Sequence, residues 1–193
     1  MGRHILIIQG HPDTAAKHFG HALAEAYRQG AAAAGHETRT LTVAELDLPL
    51  LSSYEDFYHG EPSLLVRGCQ EDIRWADHLV FFYPLWLGSM PALLKGFLEQ
   101  VFRPGFAMQP SQDGRRWRQL LKGKSAHIVV TMGMPALVYR WYFGAHSLKS
   151  LERNILRFCG IGPIRESLVG SVEGSADHRE RWLAKLRGLA SKA

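Results

Sequence analysis

The chain has 193 residues, 46% of them hydrophobic and 21% charged, with a formal net charge of +5. That length suits roughly one domain with a full core, and the composition excludes wholesale disorder and a coiled coil. No apolar run approaches the roughly 18 residues of a membrane helix, no signal or lipidation pattern opens the chain, and Cys69 and Cys159 form no CxxC, so a reducing, cytoplasmic setting is expected.

In chain order, residues 5–9 form a short apolar run that reads as a strand, punctuated by Gly10-His11-Pro12-Asp13. Phe19, Ala22, Leu23, Ala26 and Tyr27 then recur at helical spacing, and Gly35 closes that helix. Residues 38–43 alternate with period two and predict a strand. Residues 46–62 carry two prolines and many polar groups and predict a long connection. Residues 64–76 are helical in pattern and 78–83 form a buried strand. Residues 89–102 predict a helix with Pro91 in its first turn and Leu93, Leu94, Phe97, Leu98, Val101 and Phe102 on its apolar face.

Residues 103–123 read as irregular, with Pro104, Gly105, Pro110 and Asp113-Gly114. Residues 127–131 form a strand, 132–144 a loop-like stretch, and 147–158 a helix. Residues 164–172 hold a last strand. Ser175 caps a final helix with Trp182, Leu183, Leu186 and Leu189 on one face.

Strand and helix alternate five times. That order predicts an α/β three-layer sandwich, one domain over residues 1–193, whose parallel sheet is covered by helices on both faces. Five strands suggest the flavodoxin-like order 2-1-3-4-5. Ligands then sit beyond the carboxyl ends of the strands, at the switch point between the first and third. Residues 9–20, 83–91 and 131–139 should meet there.

Several signatures fail. Gly123-Lys124-Ser125 lacks the first glycine of a P-loop and precedes a strand. No GxGxxG follows the first strand, and no G-x-S-x-G is present. His18 and His21 lie three apart without an accompanying carboxylate or cysteine cluster, so no metal site is expected. The basic residues are scattered. The densest cluster, Arg115 to Lys124, reads as a solvated loop, so no nucleic-acid partner is expected.

Two segments carry more information. A strand ending at Gly10, a polar loop and a helix starting near Phe19 would expose backbone N–H groups at a helix N-terminus, where phosphate binds. Lys17 and His18 add charge there. In the run from Tyr83 to Phe97, Pro84 and Gly88 shape a turn, and bulky apolar groups offer a wall for a flat heteroaromatic ligand. Plain core packing is the competing reading.

Gly10-His11-Pro12-Asp13, Phe19, Pro84-Leu85-Trp86, the run from Gly88 to Phe97, the run from Val101 to Ala107, Thr131-Met132-Gly133 and Phe158-Cys159-Gly160 together resemble the flavodoxin-fold NAD(P)H:quinone oxidoreductases. The resemblance covers nearly the whole chain. It implies a homodimeric flavoprotein, with FAD or alternatively FMN, that moves a hydride from NADPH or NADH through flavin N5 to a quinone or similar aromatic acceptor. Ping-pong kinetics are expected. His11, Lys17, His18 and Phe19 would hold the flavin phosphates. Pro84, Leu85, Trp86 and Leu87 would line the isoalloxazine and turn backbone N–H groups toward it. Thr131, Met132 and Gly133 would reach its pyrimidine side. Tyr139 and His146 are the nearest counterparts of a catalytic Tyr and His that such enzymes carry near flavin O2.

Three departures stand out. His18-Phe19-Gly20 replaces a common Ser-Phe-Asn, Leu87 stands where many relatives have a second Trp, and Met134-Pro135 replaces a glycine-rich run. Two other readings stay open: an ancillary flavin-binding subunit of a potassium-efflux system, and an azo or nitro reductase on the same scaffold.

Overall fold

Side chains that alternate along a buried parallel strand feed two different cores, one on each face of the sheet. The computed structural model describes residues 2–111 and 115–193. Its strands are β1 (His4–Gln9), β2 (Glu37–Thr42), β3 (His78–Pro84), β4 (Met108–Pro110), β5 (Trp117–Gln119), β6 (Ser125–Thr131) and β7 (Ile164–Val169). Five of them form one parallel sheet in the order β2-β1-β3-β6-β7, the 2-1-3-4-5 arrangement expected of a flavodoxin-like fold. The register aligns Ile8 with Phe81, and Phe81 with Ile128.

The helices are α1 (Phe19–Ala33), α2 (Tyr54–Tyr58), α3 (Leu64–Trp75), α4 (Ala92–Val101), α5 (Ala136–Trp141), α6 (His146–Lys149) and α7 (Ala176–Ala190). α6 continues without a break into a widened, π-helical stretch, Ser150–Arg157. Leu6, Ile8, Leu79, Phe81, Ile128 and Val130 share one core with α3, α4 and the helix after residue 146. Ile5, Ile7, Val80, Phe82 and Val129 share the other with α1 and α7. Each such side chain, when fully buried, stabilises the fold by about 1.5–3 kcal/mol. β1 therefore leads into a helix on one face and β3 into a helix on the other. The chain parts at their carboxyl ends and leaves a crevice there.

Several expectations need correction. Residues 46–62 are not all irregular: Ser53 caps α2 by accepting the Asp56 N–H (3.0 Å). Residues 103–123 contain the antiparallel pair β4 and β5; the Asp113-Gly114 turn signal lies outside the described residues. Residues 132–144 contain α5, which starts directly after Pro135. The helix expected from residue 89 begins only at Ala92, because Ser89 is held in a turn by two backbone bonds to Trp86 (2.9 Å each). Pro91 thus stands just before the first turn. α1 ends as expected: Gly35 adopts φ +79°, and the N–H groups of Gly35 and His36 return to Ala32 O and Ala31 O. Among the described residues, no helix is long and apolar enough to cross a membrane.

Two imidazoles at the other end of the sheet are buried and neutral. Burial leads in both: with Arg3 and Arg165 adding to it, it lowers His78 to about 4, and with the neighbouring His78 and then Arg165 adding to it, it lowers His127 to about 3. The unfolded chain takes up these protons near 6.5 and the folded one does not. Their contribution to stability is therefore complete above about pH 6.5 and is lost as pH falls toward the folded values. Urea midpoints should drop between about pH 7 and pH 5, and the drop should shrink in His127→Gln. An unchanged slope in that variant would contradict this assignment.

Candidate functional site

Three strand-to-helix loops close around a crevice of about 180 Å³ at the carboxyl ends of β1, β3 and β6. Nine residues singled out from the sequence line it: His11, His18, Phe19, Pro84, Leu85, Trp86, Thr131, Met132 and Gly133. Gly20 and Val172 also line it and were not among them. Gly20 had a visible signal, as part of the His18-Phe19-Gly20 departure from the pattern of the resembled family. Val172 had none, because residues 170–172 lie beyond the observed end of β7.

The first loop supplies unfilled backbone donors. His18 occupies the N-cap of α1 with extended backbone (φ −89°, ψ 151°) and makes no side-chain cap bond. Its Nε2 instead meets the Asp13 carboxylate at 2.7 Å. His21 and Ala22 N–H reach back to His18 O (3.0 and 3.4 Å). Among the described residues, the N–H groups of Phe19 and Gly20 find no acceptor. These are the orphan donors of a helix start, favourable to an anion.

The histidines here stack. His11 and His18 ring centroids lie 4.0 Å apart at 22°, and His21 meets both edge-on. Burial first, then the two neighbouring imidazoles, pushes His11 below its ordinary pKa. Its Nδ1 lies 3.1 Å from both the N–H and the carbonyl oxygen of Asp13. His21 is lowered for similar reasons, burial again leading. The His18 imidazole, as the first cause, holds the Asp13 carboxyl below its usual range. Among the described residues, no three His, Cys, Asp or Glu side chains converge as a metal site.

The second loop is a tight turn. Trp86 and Ser89 exchange both backbone hydrogen bonds, and the two residues between them, Leu87 and Gly88, have φ of +48° and +76°. That is the pattern of a type I′ turn. A left-handed conformation costs a non-glycine residue roughly 1–2 kcal/mol, and Leu87 bears it while fully exposed. The backbone donors differ from expectation. Leu85 N–H goes to Thr131 O (2.8 Å) and Trp86 N–H to Ser89 O (2.9 Å). The N–H groups left without acceptors, among the described residues, are those of Leu87 and Gly88. The third loop holds Met132 N–H on Val169 O (2.9 Å) and leaves Gly133 N–H without an acceptor there.

Four expected residues do not line the crevice. Lys17 is exposed on the first loop. The Leu87 side chain projects into solvent at the tip of its turn. His146 is exposed at the start of α6. Tyr139 is 1% exposed, on the buried side of α5, and its hydroxyl accepts the Leu148 N–H at 3.2 Å. Burial raises its phenol above the ordinary range, against the pull of that hydrogen bond. Tyr139 ties α5 to α6. Removing the hydroxyl strands a buried donor, so Tyr139→Phe should cost about 1–3 kcal/mol in chemical denaturation. A loss near zero would show that the bond does not stabilise the fold.

The chain is similar to known proteins over its whole length. An uncharacterized NAD(P)H oxidoreductase of Haemophilus influenzae is 27% identical over 192 residues, 97% of this chain and 94% of that protein. Human ribosyldihydronicotinamide dehydrogenase [quinone] is 36% identical over 122 residues, which cover 59% of this chain and 50% of that protein. The structure of an NAD(P)H:quinone oxidoreductase from Methanothermobacter marburgensis superposes with a TM-score of 0.85 at 24% identity, covering 99% of this chain and 98% of that one, and so shares its fold. Residues 3–192 match the model of the flavodoxin-like fold family. With the sheet order and the crevice at its switch point, this match places the chain in the flavodoxin-like fold family.

Proposed function

We propose that the chain is a flavin-dependent NAD(P)H:quinone oxidoreductase. One observation carries this reading: the crevice pairs unfilled backbone donors at the start of α1 with an apolar wall and further unfilled donors on the two other loops. The names of the relatives support the same class.

The residues fit a flavin in two parts. At the phosphate end, the Phe19 and Gly20 N–H groups act with the dipole of α1. His11 lines the same end of the crevice. The His18–Asp13 contact holds the acid on the ring rather than on the anion. At the ring end, Leu85, Trp86 and Met132 supply flat apolar surface. The edge donors are the Leu87, Gly88 and Gly133 N–H groups. A bound flavin, FAD as the sequence resemblance implies or else FMN, supplies hydride acceptance from NADPH or NADH and hydride return to a quinone. The protein orients the reactants and keeps water from the wall. The turn at Leu87 and Gly88 holds its donors in place before any ligand arrives, so their alignment costs little on binding.

Tyr139 then acts as a positioning residue, through its hold on α6. His146 stands exposed at the start of that helix, outside the crevice. Leu137, Val138, Trp141, Tyr142 and Phe143 expose apolar surface on and just after α5. A second copy of the chain covering this surface is consistent with a homodimer.

If one slot serves both substrates, double-reciprocal plots of NAD(P)H against a benzoquinone should be parallel. Intersecting lines would contradict a shared slot. His11→Ala should weaken flavin binding about tenfold, read by flavin fluorescence in the absence of substrate.

A further inference from the structure

We propose that the amino-terminal end of the sheet carries a second site, which binds an oxyanion of the phosphate class. It lies at the opposite ends of the strands from the flavin crevice. A cleft of about 230 Å³ opens between the starts of β3, β6 and β7 and the end of α7. Its polar lining includes Arg3, His78, Ser125, His127, Arg165 and Lys192.

Three cations thus share one cleft. Among the described residues, none of them pairs with a carboxylate. The acids near these strand ends are engaged elsewhere. Asp77 accepts the His4 N–H at 2.9 Å, Glu37 faces the His4 ring at 3.7 Å, and Glu166 meets Arg140 at 3.4 Å. Cations without an ion-pair partner among the described residues favour an anion in a concave site.

The floor of the cleft is prearranged. Tyr27 hydroxyl and His78 Nε2 lie 3.2 Å apart, and His78 Nδ1 and Ser125 Oγ 2.7 Å apart. Arg3 Nη2 donates to the same Ser125 Oγ at 3.3 Å, which fixes that guanidinium over the floor. His127 is 1% exposed. Its Nε2 meets Ser167 Oγ at 2.9 Å, while its Nδ1 has no partner among the described residues. A buried polar atom left unpaired is costly, and a ligand atom would relieve it. When the Ser167 hydroxyl donates to Nε2, the neutral ring carries its proton on Nδ1 and offers it to an oxyanion. Arg3 and Arg165 line the same cleft as His78 and, after burial, lower its pKa further. The phosphate group could be free or part of a small phosphomonoester, since both present the same oxygens.

The test follows the imidazole resonances of His78 and His127 by NMR, in protein incubated with excess FMN and titrated with inorganic phosphate. Both signals should shift saturably while those of His11 and His18 stay in place. Arg165→Gln and Lys192→Gln, both at exposed positions, should keep the fold and weaken the response about tenfold or more. Repeating the titration with glycerol phosphate separates the sources: tighter binding than inorganic phosphate indicates an ester, weaker binding the free ion. No shift at His78 and His127 at millimolar phosphate overturns the proposal. So does an equal response in both variants. Neither result depends on the flavin reading, because the variants lie away from the crevice.

Discussion

The start of α1 sets the character of the upper face. A helix normally fills its first N–H groups with a Ser, Thr, Asp or Asn side chain. Here His18 holds that position and turns its ring to Asp13, so Phe19 and Gly20 N–H stay open. Open donors at a helix start carry about half a unit of positive charge between them. Everything else in the crevice is arranged around that pole. His11 is held neutral beside it, Gly20 keeps a side chain out of it, and the wall of Leu85, Trp86 and Met132 continues away from it.

The sheet makes this possible by dividing its connections. β1 sends the chain to α1 on one face, and β3 sends it to α4 on the other. The two helices diverge, so the ends of β1 and β3 stay uncovered. The same strands run to a very different lower end. There they begin with His78, Ser125 and His127, and among the described residues the cations that line the cleft form no ion pair. The two ends of one parallel sheet thus present two concave, donor-rich surfaces of unlike build. The upper surface uses backbone N–H groups, and the lower uses guanidinium and imidazole groups.

The long elements were legible in the sequence because their signals are periodic. Apolar runs such as residues 78–83 and helical spacings such as Phe19 to Tyr27 report burial directly. The sheet order followed from the alternation of the two. The short elements were not legible. α2 depends on one cap by Ser53, α5 on a start at Pro135, and β4 with β5 on an antiparallel pairing of three residues each. None of these leaves a period to read. At the site, topology alone brought nine named residues together. What the sequence could not show was which N–H groups remain free. That depends on the Leu87–Gly88 turn, which ties up Trp86, and on β6, which ties up Leu85. Tyr139, which the resemblance puts near the ligand, sits on the buried side of α5, in a stretch whose pattern read as a loop.

The most direct measurement is a crystal structure of the protein grown or soaked with FMN. The account predicts density for the phosphate at the Phe19 and Gly20 N–H groups, with the ring system against Leu85, Trp86 and Met132 and within reach of the Leu87 and Gly133 N–H groups. Flavin bound elsewhere, or a crevice that stays closed to it at saturating FMN, would contradict the account.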